Sequence, residues 1–337
     1  MKKQKTIPIF VSHMGCPNDC SFCNQRKITG HSGAVTPEMA DEIIKASLKT
    51  LPENTFAEIG FFGGSFTGIP EKEQIGLLEV ARKYVLNGDV NAIRLSTRPD
   101  YIDEKIVKTL KNYGVTTVEL GAQSMDDDVL IKNRRGHSAS DTERASYIIK
   151  NNGLKLGLQM MTGLYFDTYE KIIKTAEKII SLKPDCVRIY PTLVLKGTHL
   201  DMLYKSGEYT PQSLEDAVLL CADIKEMFDK ENIPVIRMGL MSSDNINPEN
   251  DVSAGPYHPA FGELVLSEIY LRKLKEKVKE DCHVLVNPHS ISAYVGENKK
   301  NIKKMEQSGY KITFVQSDEI KNGEFKILNE KGGEKCV

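Results

Sequence analysis

"NAIRLSTRPDYIDEKIVKTLKNYGVTTVELGAQS", residues 91–124, contains one complete strand–helix–strand unit. Short apolar runs open and close this segment, and an amphipathic stretch lies between them, which is the pattern of two strands joined by a helix. Two parallel strands of one sheet need such a crossover, because the chain must return to the edge from which it started. The segment therefore predicts an α/β fold built on a parallel sheet.

The same alternation runs from the N-terminus to about residue 195 and gives six strand–helix repeats. Right-handed crossovers make such a sheet curl, so we predict a partial (β/α)6 barrel of the TIM type. The predicted strands are 7–13, 56–64, 91–100, 115–124, 154–163 and 185–194. The predicted helices are 36–51, 71–85, 102–114, 141–153 and 169–183, and Thr36 caps the first of them with Pro37 at its first position.

The amino-acid composition changes near residue 235, where a long segment rich in Gly, Pro and Asn begins. A Lys/Glu-rich helix over 263–280 and further short elements follow it. We therefore predict two domains, a core barrel over residues 1–242 and a smaller α+β module over residues 243–337.

The bulk composition limits the class of protein. The chain has 337 residues with 45 Lys and Arg against 46 Asp and Glu, so its charge gives no global reason to bind nucleic acid and any such site must be local. No apolar run is long enough for a transmembrane helix, and the apolar part of the N-terminal segment is too short for a signal peptide, so we expect a cytosolic protein.

The cysteines point to metal rather than to disulfides. The chain has seven of them, and four are scattered: Cys186, Cys221, Cys282 and Cys336. An odd, scattered set without a secretion signal is not the pattern of a disulfide framework. The other three lie together in "HMGCPNDCSFCNQRK", residues 13–27, with the spacing Cys-x3-Cys-x2-Cys.

Three thiolates from Cys16, Cys20 and Cys23 would leave one iron of a four-iron cluster with an open position for a small molecule. Phe22, just before the third cysteine, would shield the cluster and favour a low reduction potential. A structural zinc completed by His13 or His31 is the competing interpretation, although zinc ribbons usually carry two Cys-x2-Cys pairs and this stretch has one.

Other unusual residues also follow strands, which is where the chemistry of β/α barrels lies. The cysteines follow the first predicted strand. The groups that follow or end the later strands are Gly63-Gly64-Ser65, then Ser96, Thr97 and Arg98, then Gln123, and finally Tyr190-Pro191.

The cysteine motif, with an aromatic residue before its last cysteine and its place after the first strand of a β/α barrel, resembles that of the radical S-adenosylmethionine (SAM) superfamily. The resemblance implies a [4Fe-4S] cluster whose open iron is chelated by the amino and carboxylate groups of SAM. It also implies reductive cleavage of SAM to a 5′-deoxyadenosyl radical, which abstracts a hydrogen atom from the substrate, and an electron donor such as ferredoxin or flavodoxin.

The resemblance extends to the expected SAM contacts. "FFGGSFT" is similar to the family's Gly-Gly-Glu motif, which implies backbone contacts from Gly63 and Gly64, with Ser65 in place of the acidic residue; an ordinary strand-to-helix turn is the alternative. Arg135 is similar to the arginine that meets the methionyl carboxylate, or else it is a solvated helix end. The remaining expected contacts are Phe22, Ser96, Arg98 as a second anion contact or a surface arginine, Glu119, Gln123 and, near adenine, Tyr190.

Longer strings narrow the branch of the family. "STRPDYID", "VELGAQSMDDDVL", "RRGH" and "RIYPTLVLKGT" resemble the radical SAM domain of the Elongator catalytic subunit and, more loosely, oxygen-independent coproporphyrinogen oxidases. The similarity spans roughly residues 7–210. The cysteine spacing is the superfamily's standard one rather than that subunit's wider one, and the chain after residue 210 is too short for an acetyltransferase domain. Acetyl transfer is therefore not implied.

Two stretches near the C-terminus are candidates for a substrate site. "AYVGENKKNIKKMEQSGYKITFV" is similar to a KH element, in which a Gly-x-x-Gly loop clamps nucleic acid, although the second glycine is missing here. Its candidate RNA contacts are Gly296, Lys299, Lys300, Lys303 and Lys304, and a solvated lysine-rich helix face is the alternative. In "AGPYHPAFGELV", we name Tyr257, His258 and Glu263 as candidate catalytic residues at the barrel mouth.

These features leave three hypotheses about function. The first is a radical SAM enzyme that modifies RNA, in particular tRNA. The second is a radical SAM enzyme that acts on a small molecule, of the coproporphyrinogen oxidase type. The third is a zinc-binding RNA adaptor without catalysis.

Overall fold

The computed structural model describes residues 4–11, 16, 20–23, 35–52, 55–240, 248–329 and 334–335. They form two compact units, one made of Met1–Ser213 with Met227–Tyr257 and the other of Leu214–Glu226 with His258–Val337. Our division of the chain at residue 243 stays a prediction. No helix in the described ranges is both long and apolar enough to cross a membrane.

A parallel sheet organises the first unit. Its strands and those of a short antiparallel pair are β1 (Gln4–Val11), β2 (Phe56–Gly63), β3 (Ala92–Thr97), β4 (Val115–Gln123), β5 (Lys155–Thr162), β6 (Cys186–Pro191), β7 (Val194–Leu195), β8 (Val235–Met238) and β9 (Val252–Ala254). The sheet has seven strands in the order β1-β2-β3-β4-β5-β6-β8, and β7 pairs with β9. Every neighbouring pair in the seven-stranded sheet is parallel, so the predicted α/β half-barrel is confirmed.

All six predicted strands are present, and the sheet gains a seventh that we did not predict. Strand β8 is only four residues long and lies where the sequence becomes rich in Gly, Pro and Asn. It pairs with β6 through Val187 and Val235. Four residues are too few to show a strand period in the sequence. Pairing with the edge of β6, rather than the local sequence, therefore determines the conformation of β8.

Helices connect the strands. They are α1 (Pro37–Leu48), α2 (Glu71–Leu86), α3 (Glu104–Asn112), α4 (Asp127–Lys132), α5 (Ala139–Asn151), α6 (Tyr169–Ser181), α7 (His199–Ser206), α8 (Leu214–Lys230) and α9 (Pro248–Asp251). The predicted start of α1 is confirmed, because the Thr36 side chain accepts a hydrogen bond from the Met39 amide and Pro37 stands at the first position. Short 3-10 helices follow β2 and β3, at Phe66–Gly68 and Pro99–Tyr101.

The two faces of the sheet differ in polarity. Alternate strand residues such as Ile9, Ile59 and Ile93 are fully buried. The residues of opposite orientation include Thr6, Glu58, Arg94, Glu119 and Arg188, which are polar or charged. One face therefore forms the apolar core with the helices, and the other brings charged groups together across neighbouring strands.

Those charged groups form a continuous ladder, which we call the ion-pair ladder (Thr6, Glu58, Arg94, Glu119 and Arg188). Thr6 donates to Glu58 at 3.0 Å, and Arg94 bridges Glu58 at 3.1 Å and Glu119 at 3.0 Å. Arg188 makes two hydrogen bonds to Glu119, at 2.6 and 3.1 Å. Burial acts to lower the pKa of Arg188, but Glu119 and Tyr190 together more than offset this and raise it. The positive and negative charges balance within the ladder.

The second unit contains α10 (Phe261–Lys277), β10 (Cys282–Val286), α11 (Ile291–Val295), α12 (Lys300–Gln307), β11 (Ile312–Gln316), β12 (Phe325–Asn329) and β13 (Glu334–Lys335). Its four strands lie in the order β11-β10-β12-β13, with β10 parallel to β11 and the other pairs antiparallel. The Tyr294 ring stacks on Tyr270 with centroids 4.1 Å apart. Helix, turn, helix and strand follow one another as in the resemblance to a KH element, but a KH domain is not confirmed and stays a prediction.

Asn301 holds the turn between α11 and α12 in place. Its buried amide nitrogen donates to the backbone oxygens of Ser267, Ala293 and Tyr294. The last two are C-terminal carbonyls of α11, which have no partner within their own helix. A Cβ atom at Gly296, which has a φ of 73°, would lie 3.1 Å from this asparagine, so the turn and the side chain that secures it fit only with glycine there.

We expect Glu119→Gln to lower the free energy of unfolding by about 3 kcal/mol, because the substitution leaves the buried Arg94 and the half-buried Arg188 without their shared carboxylate. Chemical denaturation followed by circular dichroism measures the change. The matched control is Glu143→Gln on the exposed face of α5, which should cost less than about 0.5 kcal/mol. Equal stability of Glu119→Gln and the unsubstituted chain would show that the ladder does not support the fold.

Candidate functional site

The cysteine loop follows β1, and an asparagine just after α4 secures it. The structure describes Cys16 and residues 20–23 of this loop. The Ser21 amide donates to the Asn133 backbone oxygen at 3.0 Å, and the Ser21 hydroxyl donates to the Asn133 side chain at 2.6 Å. The Asn133 amide nitrogen donates in turn to the Tyr165 carbonyl, beyond the end of β5. One fully buried side chain therefore joins the cysteine loop to two other elements.

Arg135 contacts the cysteines directly. Its Nη1 donates to the Cys20 sulfur at 3.2 Å, and its Nη2 donates to the Gly121 carbonyl at 2.6 Å near the end of β4. The guanidinium also lies 6.0 Å from the centroid of the Phe22 ring. The predicted cysteine, phenylalanine and arginine are thus brought together, although the chain separates Cys20 from Arg135 by 115 positions.

Arg98 is the second cation at this site. Arg98 is 3% exposed, and its Nε and Nη2 donate to the two carboxylate oxygens of Asp100. Its Nη2 also donates to the Arg135 carbonyl at 2.6 Å. Its Nη1 is buried and has no hydrogen-bond partner in the part of the chain that the structure describes. A buried guanidinium nitrogen without an acceptor is costly, so this atom is suited to an added anion.

The charge state of Cys16 depends on its surroundings. Burial raises the pKa of the Cys16 thiol most, and Cys20 raises it further, while Arg98, Arg135 and the Ser65 backbone amide lower it. Thiolates rather than thiols bind metals. A half-buried thiol with cations and an amide donor beside it fits a metal-bound thiolate, because the positive charge of the metal would offset the cost of its partial burial.

The loop after β2 is held by hydroxyl groups. The Gly64 amide donates to the Val11 carbonyl at 2.8 Å, which ties the turn to the end of β1. The Ser65 hydroxyl lies 2.9 Å from that of Thr97 and accepts a hydrogen bond from the Arg98 amide at 3.1 Å. Ser65 is 1% exposed. Its side chain links the loop after β2 to the end of β3, and its backbone amide is hydrogen-bonded to Cys16.

The end of β4 has an irregular backbone. Gln123 has a φ of 66°, which a residue with a Cβ atom rarely adopts, and the pairing with β5 shifts register there. Its side-chain oxygen accepts a hydrogen bond from Gln159 at 3.3 Å. Strained backbone of this kind clusters at binding sites. Gln123 directly follows Ala122, whose carbonyl oxygen lies 3.3 Å from the His137 ring.

His137 lies close to the two arginines and was not among the predicted site residues. It is buried, and burial first, then Arg135 and Arg98, lower the pKa of its imidazole to about 4. The neutral ring donates through Nε2 to the Ala122 carbonyl at 3.3 Å. No sequence pattern distinguishes this histidine from a surface one, and the same holds for Asn133.

The other predicted SAM contacts lie at or near the strand ends. Ser96 is half-buried near the end of β3, and Gly63, with a φ of 102°, ends β2. Glu119 and Arg188 belong to the ion-pair ladder, and Tyr190 hydrogen-bonds to Arg188. Both carboxylate oxygens of Glu119 are already hydrogen-bonded, so the geometry of this residue favours a structural role.

The three candidate catalytic residues predicted near the C-terminus are divided between the two units, with Tyr257 in the first and His258 and Glu263 in the second. His258 and Glu263 line a cavity of about 410 Å³ in the second unit, together with Gly296, Glu297 and Lys299. The His258 ring accepts from the Ala260 amide through Nδ1, and its Nε2 lies 3.4 Å from Glu297. Tyr257, at the end of the first unit, donates its amide to the Gly255 carbonyl.

The candidate RNA-binding lysines differ in exposure. Lys299 and Lys303 are exposed, and Lys304 is half-buried. Lys300 is exposed and lies 3.5 Å from Glu215. Their side chains thus form a mainly exposed basic face on α12 and the turn before it.

The described residues contain no group of three His, Cys, Asp or Glu side chains that converges on a point as a single metal ion requires. A four-iron cluster does not require such convergence, because each thiolate binds a different iron. His13 and His31, the competing zinc ligands, lie outside the described residues. The zinc interpretation is therefore not tested by the structure.

Two protein families match consecutive segments of the chain. Residues 11–179 match the family model of the radical SAM superfamily, and residues 184–271 match that of the radical SAM C-terminal domain. The first match alone covers half of the chain, and it includes the cysteine loop, Arg98 and Arg135.

Two relatives are similar to the chain in sequence, and one solved structure is similar to it in fold. The chain is 31% identical over 68% of its length to a tRNA uridine(34) acetyltransferase of Methanocaldococcus jannaschii, and 32% identical over 59% to Elongator complex protein 3 of Homo sapiens. It spans 42% and 37% of the length of these two relatives. The structure of archaeal Elp3 from Methanocaldococcus infernus superposes with a TM-score of 0.63 and 23% identity, covering 82% of this chain and 64% of that one.

We expect His137 to make the fold sensitive to acid. Its pKa is about 4 in the folded chain and near 6.5 when unfolded, so between these values only the unfolded chain binds the proton. The stability from the neutral ring is present above about pH 6.5 and is lost as the pH falls toward 4. Chemical denaturation should show a loss of about 2 kcal/mol between about pH 7 and pH 5 through this group.

His137→Gln is the matched variant for this measurement. Glutamine keeps an N–H donor for the Ala122 carbonyl and does not titrate in this range. The unfolding free energy of His137→Gln should therefore fall less on acidification than that of the unsubstituted chain. The same pH dependence in both proteins would contradict the assignment.

Proposed function

Because this chain belongs to the radical SAM superfamily, we propose that Cys16, Cys20 and Cys23 hold a [4Fe-4S] cluster and that SAM binds beside it. The observation that carries this proposal is the meeting of the cysteine loop with Arg135 and Arg98 at the ends of the parallel strands. The donor set fits the cluster, since it consists of thiols with cations next to them. When bound, the two cofactors would supply reductive cleavage of SAM to a 5′-deoxyadenosyl radical, with the electron delivered to the cluster by an external donor such as ferredoxin or flavodoxin.

The residues of this chain position and shield these groups. Arg135 and Arg98 offset the negative charge of the thiolates. The Nη1 of Arg98, which has no acceptor among the described residues, is a donor for a carboxylate such as that of SAM. Phe22 packs with Tyr165 against a buried cluster that contains Val194, Leu200 and Tyr209. This apolar packing excludes water from one side of the cysteine loop.

We assign the remaining SAM contacts to the strand ends. The backbone of Gly63 and Gly64 can approach a ligand closely because neither residue has a side chain. Ser96 and Gln123 offer polar groups at the ends of β3 and β4, and Tyr190 offers an aromatic ring at the end of β6. We retain Glu119 as an indirect contributor, through Arg94 and Arg188, rather than as a direct contact.

We further propose that the substrate is RNA, and tRNA in particular. Two relatives support this, since the name of one refers to uridine 34 of tRNA and the other is an Elongator protein. Because this chain spans less than half of each, acetyl transfer is not part of the proposal. The exposed lysines of α12 and of the turn before it supply the charge that phosphate contacts require.

The cluster is tested by anaerobic reconstitution with iron and sulfide. We expect about four irons and four sulfides per chain, and production of 5′-deoxyadenosine from SAM with dithionite. Cys20→Ala should lose the iron, the visible absorption and the cleavage together, whereas Cys282→Ala, a buried cysteine in the second unit, should retain all three. Zinc without sulfide in the purified chain would contradict the proposal and support the adaptor hypothesis.

The RNA substrate is tested by binding of bulk tRNA at several salt concentrations. We expect log K to fall with log salt, and Lys299→Gln with Lys303→Gln to reduce that slope by about 0.7 to 0.9 for each phosphate that the chain no longer neutralises. Lys72→Gln, an exposed lysine on α2, is the matched control and should leave the slope unchanged. A chain that cleaves SAM but does not bind tRNA would favour the small-molecule hypothesis.

A further inference from the structure

The loop after β5 exposes an aromatic ring to solvent, and the backbone of that residue has an unfavourable conformation. The Asp167 amide donates to the Leu164 carbonyl at 3.0 Å, so residues 164–167 form a hydrogen-bonded turn. Phe166, the third residue of this turn, has a φ of 69° and is 51% exposed. Turns with positive φ at this position normally carry glycine or asparagine. Phe166 is the only aromatic residue with positive φ among the residues that the structure describes.

The ammonium groups of two lysines lie over the exposed ring in cation–π contact, so a stacked base would replace one of them on the ring. Lys171 Nζ is 4.8 Å from the ring centroid and Lys132 Nζ is 5.2 Å from it. Lys171 also forms an ion pair with Asp126 at 3.3 Å, whereas Lys132 makes no ion pair within the described ranges. We call these three residues, Phe166, Lys132 and Lys171, the Phe166 platform.

The platform is attached to the cysteine loop. Lys132, Asn133 and Arg135 belong to the run "KNRR", residues 132–135. Lys132 lies at the Phe166 ring, Asn133 contacts Ser21 and the carbonyl of Tyr165, and Arg135 contacts Cys20. A ligand on the ring would therefore lie close to the loop that carries the cysteines.

The chemistry of the platform fits an unpaired base of a polyanion. Every base has a flat face that can stack on an aromatic ring, and adjacent cations contact the phosphates on either side. Two acids lie near the platform. Asp126 pairs with Lys171, which leaves Lys132 as the cation without an ion pair among the described residues, and burial raises the pKa of Asp167 to about 7. A duplex would not suit the site, since its bases are already stacked on one another.

We propose that the Phe166 platform binds an unpaired base of the RNA substrate next to the radical-generating site. This proposal rests on the proposed function, because it takes RNA as the substrate. It adds a recognition site in the first unit, built from residues other than the C-terminal lysines.

The test compares Phe166→Gly with the unsubstituted chain in binding of bulk tRNA and of an oligouridine of about 12 nucleotides. Glycine accepts a positive φ, so this variant removes the ring and the backbone strain together and should fold with an unchanged or raised Tm. We expect binding to weaken by roughly 5- to 100-fold, as the loss of one stacked base predicts.

Three further variants define the role of the ring. Phe166→Trp keeps an aromatic face and should bind within a few-fold of the unsubstituted chain, and Tyr147→Ala removes another exposed aromatic residue, on α5, and should have no effect. Lys132→Gln should reduce the slope of log K against log salt by about 0.7. A fully paired RNA duplex should compete poorly for the site.

The outcomes separate this proposal from the previous one. If the unsubstituted chain binds neither probe, the RNA substrate is wrong and the platform with it. If it binds tRNA and Phe166→Gly binds equally well, only the platform is wrong. Weaker binding by Tyr147→Ala to the same extent as by Phe166→Gly would also overturn it, because the effect would not then be specific to this ring.

Discussion

The hydrogen bond from Arg135 to the Cys20 sulfur connects the site to the sheet. The same guanidinium donates to the Gly121 carbonyl, and the Arg135 backbone oxygen accepts from Arg98, so one residue joins the cysteine loop to β4 and to the segment after β3. Burying sulfur atoms that must ionise is costly unless positive charge lies beside them. The two arginines supply that charge before any metal is considered, and the strand ends hold them in place.

The ion-pair ladder neutralises the charged groups on one face of the sheet. A sheet with charged groups on one face must satisfy each of them, because an unpaired buried charge is far more costly than a paired one. Glu58 and Glu119 alternate with Arg94 and Arg188, so no net charge accumulates. A Cβ atom at Gly157 would lie 2.7 Å from the Glu119 side chain, which explains why glycine stands opposite the ladder on β5.

The run 132–135, which begins with the last residue of α4, contacts three parts of the site. Within four residues it contacts the exposed Phe166 ring, the cysteine loop and the Cys20 sulfur. In the second unit, the stretches around His258 and around Gly296, which are far apart in the sequence, line one cavity. In both places, distant residues form a single surface, and Asn133 and Asn301 are the buried side chains that hold these arrangements together.

Local patterns in the chain were enough to predict the α/β class, six strands of the sheet, the start of α1 and the cysteine motif, because strand and helix periods, helix caps and metal-ligand spacings span only a few residues. They also placed the unusual residues at the strand ends, since parallel strands expose those ends at one edge. Long-range packing was needed to show that β8 joins the sheet, that Glu119 pairs with two arginines, and that Asn133 and His137 belong to the site. Each of these depends on a partner from a distant part of the chain, and no local pattern specifies which buried polar groups will meet.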